Sequence, residues 1–136
     1  MSTFTTYLDN ALIAHALGKT SYTMPTVYVG LSTSTPAVGG TGVTEPTIGT
    51  NGYARVATSG LWGAASSGNI TNSSAITFPA PTGSWSASTC TYLVFYDAAT
   101  AGNLLMFEPI TTPFTVNASN ASGPSAAIGQ VSTTIA

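Results

Sequence analysis

This sequence of 136 residues contains very few charged side chains. They make up 4% of the chain, against about 25% in an ordinary soluble domain. Two are cations, Lys19 and Arg55, and four are carboxylates. Two cations are too few to neutralise a run of phosphates, which excludes nucleic acid as a partner. Because a solvated monomer normally uses dispersed charge to stay apart from its copies, the composition predicts an assembled protein.

The residues that carry most enzyme chemistry are also scarce. The chain has one histidine, His15, and no Gly-x-Ser-x-Gly turn beside it, which argues against a Ser-His-Asp site. One histidine, one cysteine (Cys90) and scattered acids give no metal-ligand spacing, so we expect no metal and no cofactor. A single cysteine forms no intrachain disulfide. A pair of carboxylates for glycoside cleavage stays open as an alternative, because the sequence does not determine how far apart Glu45, Asp97 and Glu108 lie in space. We predict a protein that is not an enzyme.

Long hydrophobic runs are missing as well. No apolar segment reaches the length of about 18 residues that indicates a transmembrane helix. No cationic stretch precedes residues 11–17, so the N-terminus does not read as a secretory signal. No segment recurs at the period of a solenoid or propeller. We therefore expect neither a membrane protein nor a repeat architecture.

The densest apolar stretch lies in the second half of the chain. Tyr92 to Tyr96 and Leu104 to Phe107 are aromatic, β-branched or aliphatic runs, separated by a turn that contains Gly102 and Asn103. This pattern predicts a β-hairpin. The first run is apolar on both faces, so both faces must be covered, by the chain's own fold or by a neighbouring subunit.

The remaining chain predicts a mainly β fold with one N-terminal helix. Apolar spacing indicates a helix over residues 3–17 that packs one stripe on a sheet. Ser2 or Thr3 can cap its start, and Gly18 followed by Lys19 is a fitting stop. Proline and glycine then punctuate a long loop at about 33–52, and strands occupy the range 26–135. Near the end of the chain we predict a polar turn at Asn117–Pro124 and a final strand from Ala126 to Ile135. About seven short strands in one domain, 1–136, suggest a β-sandwich or barrel. The predicted stripe consists of Phe4, Leu8, Ala11, Leu12 and His15.

Four motifs, taken in order, resemble a family of small virion structural proteins of tailed bacteriophages, described as tail-fibre-like or minor structural proteins. The resemblance implies a non-enzymatic part of a virus particle, assembled in the host cytoplasm and retained in the virion. It leaves the head and the tail open as locations. The motifs are Leu8-Asp9-Asn10-Ala11-Leu12, Tyr28-Val29-Gly30-Leu31-Ser32-Thr33-Ser34-Thr35-Pro36, Glu45-Pro46 with Gly52-Tyr53-Ala54-Arg55, and Phe95-Tyr96-Asp97-Ala98-Ala99 with Gly102-Asn103-Leu104-Leu105.

Arg55 is the most informative candidate among the side chains. A charge near a β core is costly unless it is paired and hydrogen-bonded. We therefore predict that Arg55 pairs with Glu45 or with Asp97 and fixes the long loop against the hairpin. Asp97 is also placed to cap the hairpin turn.

Four aromatic residues are further candidates for structural or assembly contacts. Trp62 and Trp85 are expected to fill the core or a seam between subunits, although stacking on sugar rings is an alternative. Tyr96 and Phe107 lie in the hairpin, which we expect to be the centre of the assembly because other subunits would complete its cover.

These features favour a capsid decoration, or cement, protein bound as oligomers on the virion surface. The expected oligomer is a homotrimer, and the expected partners are the major capsid protein or tail proteins. The alternatives are a tail-fibre or tail-tip protein, and a carbohydrate-binding adhesion module that recognises a host glycan.

Overall fold

The computed structural model describes residues 1–120 and 122–135, so Ala121 in the predicted turn and the terminal Ala136 lie outside the described residues. In the described part the protein is mainly β with one helix, as the sequence predicts. The elements in chain order are β1 (Thr3–Phe4), α1 (Thr6–Ala16), β2 (Tyr28–Ser32), β3 (Val56–Ala57), β4 (Asn69–Thr71), β5 (Ile76–Thr77), β6 (Cys90–Tyr96), β7 (Leu104–Phe114), β8 (Ser125–Ala126) and β9 (Ser132–Thr134).

The predicted hairpin forms the middle of the main sheet. Strands β6 and β7 pair antiparallel, with Val94 opposite Phe107. The full sheet has five strands in the order β1-β7-β6-β2-β3. Strand β7 continues to Phe114, beyond the predicted end at Phe107, and a register shift between Cys90 and Tyr92 accommodates the extra residues. The longest strands thus lie at the centre, and the two-residue strands β1 and β3 form the edges.

One face of the main sheet is covered by two small sheets. Strand β4 pairs with β9 and β5 pairs with β8, each antiparallel. Ile76, Phe78 and Val131 from this second layer pack on the main sheet in one hydrophobic core. The arrangement is sandwich-like, because apolar residues of two layers meet between them. The residues that the main sheet contributes to this core include Val29, Leu31, Leu93, Phe95 and Met106.

The other face of the hairpin is covered by the chain itself. Val94, Leu104 and Phe107 are 0%, 5% and 8% exposed in a single chain and form a second cluster. Val43 of the long loop packs against this cluster. We expected other subunits to complete the cover of the hairpin, and that expectation is wrong for these side chains. The long loop carries apolar residues that the sequence pattern concealed among its glycines and prolines.

The helix starts later than predicted. Thr3 and Phe4 pair with β7 as strand β1, so the predicted range of 3–17 contracts to Thr6–Ala16. Thr5, and not Ser2 or Thr3, is the N-cap, and its hydroxyl accepts a hydrogen bond from the backbone N–H of Leu8. No helix in residues 1–120 and 122–135 is long and apolar enough to cross a membrane.

The predicted stripe of α1 faces the protein only in part. Leu8 is buried, and Ala11 and Leu12 are half-buried. His15 is exposed, and its Nδ1 accepts a hydrogen bond from the backbone N–H of Tyr22 at 3.0 Å. Phe4 is half-buried too, but it contacts the main core from strand β1. The helix is therefore attached to the sheet by a narrow contact.

The final strand is divided in two. We predicted one strand from Ala126 to Ile135, but a turn with Gly129 at φ 76° separates β8 from β9. Each half joins a different small sheet. Glycine suits this position because a side chain disfavours positive φ.

Cys90 gives a prediction that tests the packing of β6. The residue is 1% exposed, and burial raises the pKa of its thiol to about 11. Because the thiolate is the reactive form, we expect native protein at pH 8 to resist a disulfide reagent such as DTNB. The same protein in guanidinium chloride should react at once. Rapid labelling of native protein would contradict the burial of this strand.

Candidate functional site: the Arg55 cluster

Arg55 forms a bidentate ion pair with Glu45. It lies directly before β3, at the end of the long segment that follows β2. Its Nε donates to Glu45 Oε1 at 2.9 Å, and its Nη2 donates to Oε2 at 2.7 Å. The two side chains are only 4% and 14% exposed. Of the two partners that the sequence leaves open, the structure therefore selects Glu45.

The third nitrogen of the guanidinium holds the turn of the hairpin. Nη1 of Arg55 donates to the carbonyl oxygens of Ala98 and Ala101 at 2.9 and 2.7 Å. The Cζ atom lies 3.5 Å from the centre of the Tyr96 ring, a cation–π geometry. One side chain thus joins the long loop to the hairpin. We call Arg55, Glu45, Tyr53 and Tyr96 the Arg55 cluster.

The protonation states in the cluster follow from burial and charge. Burial lowers the pKa of the Arg55 guanidinium, but hydrogen bonds and the charge of Glu45 raise it above its ordinary value. For Tyr53 the effect of burial has the opposite sign: burial raises the pKa of its hydroxyl, and the negative charge of Glu45 raises it further. Arg55 is therefore a cation and Tyr53 a neutral hydroxyl at neutral pH. Each donates to the same carboxylate.

Tyr53 connects the cluster to the edge of β2. Its hydroxyl donates to Glu45 Oε1 at 2.8 Å and accepts from the backbone N–H of Leu31 at 2.9 Å. This N–H belongs to the part of β2 that extends beyond its pairing with β3. An unpaired N–H at a buried sheet edge is costly. The hydroxyl therefore supplies the partner that a longer β3 would have supplied.

Gly30 makes room for the cluster. A Cβ atom at this position would lie 2.5 Å from Glu45 Oε1 and 2.9 Å from Tyr53 Oη. Sequence reasoning missed both Tyr53 and Gly30. The one available signal was a glycine in the interior of a strand, which often marks close approach of another group.

Gly30→Ala is expected to destabilise the protein by about 1–3 kcal/mol, because the new methyl group must displace atoms held in a hydrogen-bonded network. Urea denaturation of the two proteins measures the difference. Gly39→Ala is the matched control, since a Cβ atom there meets no heavy atom within 4 Å. Equal stability of the Gly30 variant and the control would contradict the geometry of the cluster.

Asp97 sets the hairpin turn and does not pair with Arg55. Its carboxylate accepts from the backbone N–H and the side-chain amide of Asn103 at 2.7 and 2.8 Å. Gly102 lies in the same turn at φ 77°. Glu108 has other partners, because it accepts from the Ser2 hydroxyl at 2.8 Å and lies 3.3 Å from the N-terminal ammonium. Glu45, Asp97 and Glu108 are thus each held by a different set of groups.

The tryptophans occupy two places in the main core. Trp85 is 7% exposed and packs edge-on against Tyr53, with ring centres 5.1 Å apart. Its indole N–H donates to the carbonyl of Asn51 at 2.8 Å. Trp62 is half-buried, and its N–H donates to the Thr58 hydroxyl at 3.1 Å. Trp85 therefore offers no free face for a sugar ring.

The two hairpin aromatics both lie in the second cluster. Phe107 is buried and makes an edge-to-face contact with Tyr92, with ring centres 6.1 Å apart. Tyr96 is half-buried beneath Arg55. The structure thus brings Arg55, Glu45 and Tyr96 together, places Asp97 beside them in the turn, and separates Trp62, Trp85 and Phe107. A role of these seven residues in assembly stays a prediction.

Within residues 1–120 and 122–135 there is no group of three or more His, Cys, Asp or Glu side chains that could hold a metal ion. In the Arg55 cluster the Glu45 carboxylate and the Arg55 guanidinium are hydrogen-bonded to each other. A carboxylate that already accepts from Arg55 and Tyr53 is poorly placed to act as a general base. The arrangement is that of a structural clamp.

The comparison with known proteins agrees with the resemblance that the motifs indicated. The family model described as Podophage GP4 fiber I protein gp80 matches residues 3–134. This range includes the helix, all three sheets and the Arg55 cluster. A search of curated proteins finds no match. The chain belongs to the Podophage GP4 fiber I protein gp80 family, and is thus a virion-associated structural protein of the tailed-phage type.

Proposed function

We propose that this chain is a non-enzymatic component of the tail fibres of a bacteriophage. The observation that carries the proposal is the match of residues 3–134 to a family whose printed description is a fibre protein. The match covers nearly the whole chain and every described strand. The protein therefore acts by its contacts with other virion components.

The use of charge in the fold supports a structural role. Arg55 and Glu45 form an ion pair within the chain, and Asp97 is hydrogen-bonded in the hairpin turn. The surface is left mostly neutral, which suits permanent contacts better than contacts steered by charge. Permanent contacts are what a component of an assembled particle requires.

The proposed oligomer in the fibre is a homotrimer. Three copies related by a closed rotation give a fibre a defined axis, and closed symmetry is the rule among soluble oligomers. Light scattering coupled to size exclusion is expected to give a mass that is a multiple of three times the chain mass of 13.7 kDa. A clean monomer at high concentration would contradict the proposal.

A capsid decoration protein is the second candidate. Its support is the low content of charged residues, 4% of the chain, which suits permanent contacts on an assembled shell. In that role copies would bridge neighbouring molecules of the major capsid protein from outside. The family description favours the fibre over this role.

Labelling of purified particles separates these two roles. An antibody against the folded domain, attached to gold, is expected to mark the tail in electron micrographs. Label distributed over the head would favour the decoration role and overturn the fibre proposal. Particles that lack the gene product serve as the control for specific labelling.

A host glycan is the remaining proposed ligand, and Trp62 is the aromatic residue to test. Its ring is half-buried, so part of it remains at the surface. Binding on a glycan array that is lost in Trp62→Ala, with the fold intact by circular dichroism, would support adhesion. Unchanged binding would exclude Trp62 as the contact, and no binding by the wild type would exclude adhesion to the glycans tested.

A further inference from the structure

A cavity of about 160 Å³ lies between strands β7 and β8, beside the main core. Its floor is apolar, because Phe78, Leu93 and Val131 line it and are 3%, 8% and 0% exposed. The half-buried side chain of Phe114 lines it as well. An engineered apolar cavity of about 150 Å³ binds benzene. The cavity between β7 and β8 therefore has the size for one six-membered ring, with substituents directed to its open side.

A bulge in β7 brings polar groups to this cavity. Between Pro109 and Phe114, β7 advances five residues while β6 advances two, so residues 110–113 have no partner in the β6 ladder. Such extra residues bend a strand and redirect its side chains, and they are over-represented next to active sites. Thr111 and Thr112 of the bulge both line the cavity. The bulge thus adds hydroxyl groups to a space with an apolar floor.

The polar groups on the open side are available to a ligand. The hydroxyls of Thr111 and Thr112 form no hydrogen bond with any residue that the structure describes, and both residues are exposed. Gln130 also lines the cavity, and its amide oxygen accepts from the backbone N–H of Ala127 at 2.6 Å. The amide NH₂ of Gln130 is left as a donor. The open side therefore offers two hydroxyls and one amide.

Glu108 supplies a carboxylate at the same cavity. It lies directly opposite Leu93 in the β6–β7 ladder, so both side chains are on the face of the main sheet that holds the main core. Glu108 is 6% exposed, accepts from the Ser2 hydroxyl through Oε2 and lies 3.3 Å from the N-terminal ammonium through Oε1. A carboxylate has about four acceptor positions. Glu108 can therefore accept further hydrogen bonds from a ligand.

We propose that this cavity binds one pyranose ring of a neutral sugar. The C–H face of the ring would lie on the apolar floor and against Phe114. Its hydroxyl groups would meet Glu108, Thr112 and Gln130 on the open side. A few polar groups placed around an apolar space are the usual composition of a small-molecule site. The inference names a site for the host glycan proposed above and rests on that ligand, but it does not depend on a location on the tail.

Other classes of ligand fit these groups less well. A purely apolar ligand would displace water from the Glu108 carboxylate and the threonine hydroxyls without replacing their hydrogen bonds, which is costly. An anion would lie beside a carboxylate and be repelled. A cation gains little, because the N-terminal ammonium already lies beside Glu108. A neutral ring with hydroxyl groups suits both the floor and the open side.

The cavity is separate from the surface of Trp62. The described residues that line it do not include Trp62, whose indole N–H is bonded to the Thr58 hydroxyl. A sugar in the cavity and a sugar stacked on Trp62 are therefore distinguishable by mutation.

Two-dimensional NMR of the isotope-labelled protein tests the proposal, with D-glucose, D-mannose and D-galactose as the probes. At least one of the three is expected to shift the amide signals of Thr111, Thr112 and Val131, with a Kd on the order of 1 mM. D-glucuronate should bind at least about tenfold more weakly than D-glucose, because of the Glu108 carboxylate. No shift with any neutral sugar, shifts confined to residues outside the cavity, or equal binding of D-glucuronate would overturn the proposal.

Two variants test the site. Ala126 is half-buried and lines the cavity, so Ala126→Leu should fill the space and weaken binding at least about tenfold. Thr112→Val keeps the shape of the side chain, removes one hydroxyl and should weaken binding about threefold or more. It keeps the test valid if Ala126→Leu disturbs the fold. Unchanged binding by Thr112→Val would overturn the proposal.

Two further variants serve as controls. Thr23→Val, at an exposed position outside the cavity, and Trp62→Ala are both expected to bind as the wild type does. Loss of binding in Trp62→Ala alone would overturn the cavity as the site and leave the glycan as the ligand. Sugar binding is measured on isolated protein, so it can fail while the gold label still marks the tail.

Discussion

Replacing Arg55 by alanine is expected to lower the free energy of unfolding by about 3–5 kcal/mol, the range for removing one partner of a buried ion pair. The guanidinium donates to both oxygens of Glu45 and to two carbonyls of the hairpin turn. Without it, the Glu45 carboxylate, which is largely buried in the native protein, keeps its negative charge and has only the Tyr53 hydroxyl as partner. Chemical denaturation monitored by tryptophan fluorescence measures the loss.

Two further variants give this prediction its controls. Lys19→Ala removes the other side-chain cation from an exposed position and should change stability by no more than about 0.5 kcal/mol. Removing both charges, by Arg55→Met with Glu45→Gln, should recover part of the loss, because no unpaired buried charge remains. If Arg55→Ala unfolds at the same denaturant concentration as the wild type, the cluster has no structural role.

Trp85→Ala is expected to destabilise the protein by about 3–5 kcal/mol, as large-to-small substitutions of buried aromatic residues do. Trp85 is 7% exposed and contacts the rings of Tyr53 and Phe78. Its loss would leave a cavity beside the cluster and remove one of the two hydrogen bonds that the carbonyl of Asn51 accepts, the other coming from the backbone N–H of Thr82. Thermal unfolding followed by circular dichroism measures the effect.

Trp62→Ala is the comparison for this variant. Trp62 is half-buried, so truncation removes less buried apolar surface and should cost less than truncation of Trp85. A Trp85 variant as stable as the wild type would place this ring outside the core. It would also reopen the interpretation of Trp85 as a surface for sugar stacking.

The hairpin and the mainly β character were predictable because their signals are local. Runs such as Tyr92 to Tyr96 have both the composition and the length of a strand, and Gly102 with Asn103 marks the turn. The end of the helix was equally visible in Gly18. Its start was not, because Ser2, Thr3 and Thr5 are all acceptable caps and only pairing of β1 with β7 decides among them.

The covering of the hairpin was not predictable from periodicity. Val43 lies in a loop rich in glycine and proline, and its packing on the second face depends on the path of that loop. The scarcity of charge suggested that subunits would cover this face. In the structure three of the few charged side chains make contacts within the chain, since Arg55 pairs with Glu45 and Asp97 is hydrogen-bonded to Asn103.

The ion pair of the candidate site was predictable, whereas Tyr96 was named only for its place in the hairpin and not as a partner of Arg55. With four carboxylates in the chain, the partners open to Arg55 were few, and Glu45 was one of the two named. Tyr53 and Gly30 join the site through contacts that depend on the path of the loop between them. A tyrosine hydroxyl that replaces a strand partner leaves no periodic signal in sequence.

The most direct test of the account is the amount of this protein in purified particles. Quantitative mass spectrometry of gradient-purified virions, with labelled peptides as standards, gives its ratio to the major head protein. We predict that the chain is present, at a ratio far below one, and that it is lost when tails are detached from heads. Absence from purified particles would contradict a virion structural role, and a ratio near one on tailless heads would contradict the fibre.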